Sequence, residues 1–250
     1  MTRRILNIVP VPVPPAALDA FRAQLSDEVV HPDFENDFVA ARAGARVIDS
    51  PYEQLLAETF VLEAGARAQE QGYDAVAINS MSDSALSALR SRLEIPVVAP
   101  ASASILLACL LGKKFSIITM WPRWHSLYEK TIAEQGLAHR VASIRDIGVR
   151  PDAAELLAGK EEVVFELLER QARAAIDEDG ADVIILGSTT MHQSYEHLRT
   201  VLEVPVLNPG VVAEKFAELL VLTGVSHSKK AYPSPEVVQD DLLDAVRSVR

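Results

Sequence analysis

Two short apolar segments, each ending abruptly at a serine, constrain the fold of this chain more than any other feature. The first is Asp74-Ala-Val-Ala-Ile-Asn-Ser80, and the second is Asp182-Val-Ile-Ile-Leu-Gly-Ser188. Each follows a glycine and is bounded by polar residues, which is typical of a parallel strand buried on both faces. Each is followed by an amphipathic segment and a second short strand, which opens with Glu-Ile-Pro-Val at position 94 and Glu-Val-Pro-Val at position 203. The sequence therefore predicts a strand–helix–strand unit that occurs twice, over about 72–111 and 180–224.

Strands alternate with helices along the remainder of the chain, which predicts an α/β fold with mainly parallel sheets flanked by helices. We expect two pseudo-symmetric lobes that form a single unit over residues 1–250, with the N- and C-terminal segments in the same lobe. Ile5–Val9 is the first predicted strand. Val29-Val30 and Ala45–Ile48 are weaker strand candidates, and the acidic segment between them is predicted to be a loop.

Charge and composition exclude several classes of partner. The formal net charge of −11 disfavours nucleic acid and anionic membrane surfaces, since both would repel the protein. The chain has one cysteine, Cys109, so no disulfide can form within it. No apolar run approaches the length of a membrane span, and the arginines and prolines near the N-terminus do not make a signal peptide. We therefore expect a cytoplasmic protein whose partner is a small molecule.

The strand ends supply the candidate site, because ligands of parallel α/β sheets bind beyond the carboxyl ends of the strands. Two facing copies of the unit would bring Ser80 and Ser188 to opposite walls of one cleft. Each serine could instead cap the helix that follows it. Since the two occupy matched positions of a repeat, we favour a catalytic role and keep capping as a second one. The predicted substrate-binding residues are the others at strand ends: Val11, Asn79, Met81, Ser82, Thr119, Thr189, Thr190 and Asn208.

His192 lies four residues beyond Ser188, about one helical turn. It is a candidate general base because the unperturbed imidazole titrates near neutrality, and it fits equally well as a surface residue of an exposed helix. The other histidines show no metal-ligand spacing, so no metal site is predicted. No Walker-type or dinucleotide glycine pattern occurs, so no nucleotide cofactor is predicted.

Several segments give the chain a resemblance to a known superfamily over nearly its whole length. They are Asp74–Ser80, Ile95–Val98, Phe115–Thr119, Leu186–Ser188 and the tail Ser226–Pro233. These resemble the aspartate/glutamate/hydantoin racemase superfamily, and most of all its hydantoin and allantoin racemase branch. The resemblance implies two pseudo-symmetric α/β lobes, a site between them, cofactor-independent chemistry and assembly into a homo-oligomer. It also implies that two cysteines, one for each face of the substrate's chiral carbon, stand where this chain has Ser80 and Ser188.

The differences from the family pattern bear on the reaction. A serine hydroxyl is a far weaker acid than a thiol and needs an adjacent base before it can take a proton. Where the relatives carry Asn-Pro-Asn-Thr after the first strand, this chain has Val9-Pro10-Val11-Pro12, which removes polar groups from that side of the site. The resemblance implies an isomerase that forms an enolate from a small carboxylate or cyclic amide. Decarboxylation, elimination, cis–trans isomerisation, hydrolysis and ligand binding without catalysis remain alternatives on the same scaffold.

Overall fold

The structure is a computed structural model that describes residues 2–151 and 162–247. In these residues strands and helices alternate regularly along the chain. The elements are β1 (Arg3–Val9), α1 (Pro15–Ala23), β2 (Phe34–Ala40), α2 (Pro51–Gly65), β3 (Ala75–Ile78), α3 (Leu86–Arg92), β4 (Val97–Val98), α4 (Pro100–Leu111), β5 (Phe115–Thr119), α5 (His125–Glu134), β6 (Val141–Asp146), α6 (Glu162–Asp177), β7 (Val183–Leu186), α7 (His192–Val201), β8 (Val206–Leu207), α8 (Pro209–Thr223) and α9 (Asp240–Arg247).

The strands form two parallel sheets with the same topology. One sheet has the order β2-β1-β3-β4, and the other has the order β6-β5-β7-β8. The registers also correspond, since Ile5 of β1 pairs with Ala75 of β3 and Phe115 of β5 pairs with Val183 of β7. The predicted α/β fold with two similar parallel sheets is therefore confirmed. The repeat is longer than the predicted unit, because the elements from β1 to α4 recur in the same order from β5 to α8.

The chain divides into two compact units, and each sheet has its own core. One unit contains the described residues up to Asn79, then Asp83–Ala99, and those from Ala213 onward; the other contains Ser80–Ser82 and Pro100–Val212. All four residues of β3 and all four of β7 are buried, as expected for central strands covered on both faces. Apolar side chains from the helices complete each core, such as Leu89 in the first unit and Leu168 in the second.

The second strand lies in a segment that the sequence predicted to be a loop. β2 covers Phe34–Ala40, whereas Val29-Val30 and Ala45–Ile48 form no strand, so these three local predictions are wrong. The reason is the position of β2 at the edge of its sheet, where only Phe34 and Phe38 are fully buried. An edge strand that keeps acidic residues in solvent lacks the continuous apolar run by which the central strands were predicted.

The tail that resembles the racemase family is fastened to the end of α3. Lys229 Nζ donates hydrogen bonds to the backbone carbonyls of Arg90, Ser91 and Leu93 at 2.9, 3.0 and 2.7 Å. The last carbonyls of a helix have no hydrogen-bond partner within the helix. A lysine ammonium can donate hydrogen bonds to them, and its positive charge interacts favourably with the negative end of the helix dipole. Lys229, which is distant from α3 in sequence, therefore caps the C-terminus of this helix.

Replacing Lys229 by Met is expected to lower the free energy of unfolding by about 1–2 kcal/mol, since charge-assisted hydrogen bonds to three carbonyls are lost. Lys230→Met is the matched control, because Lys230 is adjacent, carries the same charge and is exposed. Urea unfolding followed by circular dichroism gives both values. Equal free energies of unfolding for the two variants would show that capping of α3 by Lys229 does not stabilise the protein.

Within residues 2–151 and 162–247, no helix combines the length and apolar character needed to cross a membrane.

Candidate active site

Ser80 and Ser188 follow equivalent strands at the carboxyl edges of the two sheets. β3 ends at Ile78 and β7 at Leu186, so each serine lies two residues beyond the end of its strand. Both side chains are half-buried. The strands themselves are fully buried and rigidly paired on both sides, which fixes the position of the residue that leaves the sheet.

The two serines make the same local hydrogen bonds. Ser80 Oγ lies 2.8 Å from Ser82 Oγ, and Ser188 Oγ lies 2.8 Å from Thr190 Oγ1. The backbone N–H of Ser82 also donates to Ser80 Oγ at 3.3 Å, and that of Thr190 donates to Ser188 Oγ at 3.2 Å. Each strand end therefore carries a pair of hydroxyl groups joined by a hydrogen bond, two residues apart in sequence.

Neither serine caps the helix that follows it. The residue at the N-cap of α3 is Ala85 and that of α7 is Met191, and neither makes a side-chain capping bond. Instead, each serine hydroxyl accepts the N–H of the residue two positions later, which is a serine turn. The capping alternative from the sequence is therefore wrong, and the hydroxyls are held at the strand ends by a tighter local turn.

The backbone after Ser80 is strained. Asp83 and Ala85 have φ angles of 48° and 59°, in the left-handed region that residues with a side chain rarely adopt. Such strain persists only where the surroundings hold the backbone, and it is frequent at functional sites.

A buried polar network supports the end of β7. Tyr128 Oη donates to the carbonyl oxygen of Gly187 at 2.6 Å and lies 2.8 Å from Thr119 Oγ1. Burial raises the pKa of Tyr128, so its hydroxyl remains a donor. A Cβ at Gly187 would come within 2.6 Å of Thr119 Cβ, which is why this position, next to Ser188, needs glycine. Thr119 is fully buried and its hydroxyl belongs to this network, and its predicted contact with a substrate stays a prediction.

His192 and Asn208 lie side by side. His192 is the first residue of α7, and its Nδ1 lies 3.1 Å from Nδ2 of Asn208. Asn208 follows β8, is 4% exposed and accepts the N–H of Gly210 through Oδ1 at 3.1 Å. The hydrogen bond between residues 16 positions apart joins the starts of α7 and α8.

The other predicted substrate-binding residues lie beside these strand ends with different degrees of exposure. The half-buried ones are Val11, Asn79 and Thr190. The buried ones are Met81, Ser82 and Thr189. Their contact with a substrate stays a prediction.

Sequence reasoning did not single out two further groups at the carboxyl edge of the second sheet. One is Tyr128, for which the only signal was the glycine before Ser188, a mark of close backbone approach. The other is His125, whose Nε2 lies 3.1 Å from Oδ2 of Asp146, the last residue of β6. Among the described residues, no group of three or more His, Cys, Asp or Glu is placed to hold a metal ion.

Comparison with known proteins gives consistent results. Residues 16–217 match the family described as Asp/Glu/hydantoin racemase. A hydantoin racemase from Pseudomonas sp. (strain NS671) is 34% identical over 201 residues, which cover 79% of this chain and 79% of that protein. A hydantoin racemase from Paenarthrobacter aurescens is 32% identical over 196 residues, 77% of this chain and 81% of its own. The structure of allantoin racemase from Klebsiella pneumoniae has a TM-score of 0.86 and 30% identity, with coverage of 95% of both chains.

Proposed function

The chain belongs to the Asp/Glu/hydantoin racemase family, and from that premise we propose that it acts on a small cyclic amide or carboxylate through an enolate. The observation that carries the proposal is the hydroxyl pair at each of two equivalent strand ends. In one pair Ser80 and Ser82 are joined at 2.8 Å, and in the other Ser188 and Thr190 are joined at the same distance. Each pair offers hydroxyl groups that can donate hydrogen bonds to a carbonyl or enolate oxygen.

The proposed role of the hydroxyls is to donate hydrogen bonds to the oxygen on which negative charge develops. A donor aimed at a developing oxyanion stabilises the transition state more than the ground state. Ser188 Oγ accepts the N–H of Thr190, so the serine's own proton is available for a donor role when the Thr190 hydroxyl donates to it. Where the enolate forms by loss of a proton, that proton passes to a basic group of the substrate or to water, and the reaction as proposed needs no cofactor.

A second candidate reaction is loss of CO₂ from a malonate-type substrate. It is favoured by the partners of Ser80 and Ser188, which in the described part of the chain are a neighbouring hydroxyl and a backbone N–H, with no carboxylate or imidazole bonded to either. Decarboxylation forms the same kind of enolate without a base that removes a proton. Racemisation needs such a base, because serine does not supply one unaided.

The test of the proposed function uses the unmodified protein in D₂O. Enantiopure 5-substituted hydantoins, free amino acids and an aryl-substituted malonate are incubated with it, and NMR follows deuterium at the acidic carbon and loss of the carboxylate. We expect exchange or decarboxylation above the buffer rate with at least one compound, and a reduction of about 10²-fold in Ser188→Ala. Saturable binding without either reaction would contradict the proposal and identify a binding protein instead.

A further inference from the structure

The side chain of Asn208 has a fixed orientation, because its two ends meet different partners. Oδ1 accepts the N–H groups of Gly210 and Val211 at 3.1 and 3.5 Å, in the first turn of α8. A flipped amide would place its NH₂ group against those two donors. The oxygen therefore faces the helix, and Nδ2 faces His192.

The orientation of Asn208 determines which nitrogen of His192 carries the proton. An amide nitrogen is only a donor, and it lies 3.1 Å from His192 Nδ1. Nδ1 must therefore accept, which leaves the proton of the neutral ring on Nε2. A proton on Nδ1 would put two donors against each other.

The Nε2 atom has no hydrogen-bond partner within residues 2–151 and 162–247, and the ring is half-buried. The chain between it and Ser188 is a turn, closed by the N–H of Met191 and the carbonyl of Ser188 at 3.3 Å. His192 therefore directly follows the turn that begins at Ser188. Its one remaining polar atom is a donor.

From these contacts we propose that His192 donates a hydrogen bond from Nε2–H to the carbonyl or enolate oxygen of the substrate, and that Asn208 is the positioning residue that fixes this tautomer. This assigns His192 a role opposite to that of the general base expected from the sequence. The assignment of the ligand rests on the proposed function, whereas the tautomer does not. Neutral carbonyl compounds such as cyclic imides fit a neutral donor.

The tautomer is measured in ¹⁵N-labelled protein by long-range correlation of the imidazole ring at pH 8. We expect Nε2 to be protonated and Nδ1 to be unprotonated. Asn208→Asp keeps an oxygen for the helix N–H groups but offers an acceptor to the ring, so the proton is expected to move to Nδ1. Asn208→Ser is the control, because serine caps a helix well but is too short to reach the ring, and it should give a mixture of tautomers. A proton on Nδ1 in the unmodified protein would overturn the proposal.

The donor role is separated from a base role by two substitutions at His192. Gln at this position retains a side-chain N–H donor but is not a base, whereas Leu provides neither. We expect His192→Gln to keep kcat within about tenfold and His192→Leu to lose about 10²-fold, as for removal of an oxyanion donor. Equal losses in both variants would overturn the donor role even if the tautomer is as proposed. If no substrate reacts, the proposed function fails, and the affinities of the two variants for an unreactive cyclic imide decide the donor role in the same way.

Discussion

The double substitution Ser80→Cys, Ser188→Cys is expected to raise proton exchange at the acidic carbon of a bound hydantoin by at least about 100-fold, the low end of what general acid–base catalysis contributes. The family resemblance places a cysteine at each of these strand ends. A thiol ionises near pH 8.5, several units below a serine hydroxyl, and each pKa unit corresponds to about 1.4 kcal/mol. The N–H groups of Ser82 and Thr190, which now bond the two serine oxygens, would favour a thiolate in their place.

The measurement is deuterium incorporation in D₂O, with the unmodified protein, each single variant and the double variant compared on one substrate. The single variants should exchange the proton of one enantiomer faster than that of the other, because each provides a thiol at one strand end. Ser26→Cys is the control for an added thiol, since Ser26 is exposed in a turn. If the substrate binds to every variant and none exchanges its proton, loss of the thiols does not by itself separate this chain from the racemases. The loop Val9–Pro12 would then be the part to restore.

The buried strands were predictable because a strand that is buried on both faces consists of consecutive apolar residues. β3 and β7 are continuous apolar runs, and both end two residues before a serine. The same reasoning failed for β2, where the strand lies at a sheet edge and contains Glu35 and Asp37. The predicted repeat covers only the second part of each sheet, because the sequence pattern that defines it consists of β3 and β7 and the strands that follow them.

The candidate site was only partly predictable for a different reason. The positions of Ser188, His192 and Asn208 follow from where strands end, which the sequence shows. The bond from Asn208 to His192 joins the residue before α8 to the first residue of α7, and its direction depends on the N–H groups that the amide oxygen accepts. The hydrophobic periodicity of a sequence does not predict a hydrogen bond between two particular side chains. The base role predicted for His192 came from its residue type, and the hydrogen bond at Nδ1 is what argues against it.

A buried glutamate in the first unit should make the stability of the protein depend on pH. Glu214 of α8 is fully buried, and its Oε1 accepts a hydrogen bond from Asn36 of β2 at 2.7 Å. Asn7 of β1 donates in turn to Asn36 at 2.6 Å. Glu214 Oε2 has no hydrogen-bond partner in the described part of the chain. Asn36 and Asn7 are uncharged, so the hydrogen bonds from the sheet bring no positive charge to this carboxyl.

Burial is the main cause that raises the pKa of Glu214, from the ordinary value of 4.5 to about 7. The bond from Asn36 opposes the shift, the carboxylate of Glu218 adds to it, and the ammonium of Lys215 lowers it. In the unfolded chain the carboxyl ionises near pH 4.5, whereas in the folded protein it keeps its proton until about pH 7. The free energy of unfolding therefore falls as pH rises between these values, and this loss of stability levels off above them. At pH 8 it amounts to about 3 kcal/mol.

Glu214→Gln should remove this cost, because an uncharged amide resembles the protonated carboxyl in shape and keeps an oxygen for Asn36. The free energy of unfolding of the variant relative to the unmodified protein is expected to increase by about 3 kcal/mol from pH 4 to pH 8. Urea unfolding at a series of pH values measures this difference, in which the titration of all other groups cancels. Glu129→Gln serves as the control, since Glu129 is exposed on α5 and its replacement should leave the difference constant. A difference that is equally constant for Glu214→Gln would mean that the buried carboxyl is ionised in the folded protein, with a compensating charge or water reaching Oε2.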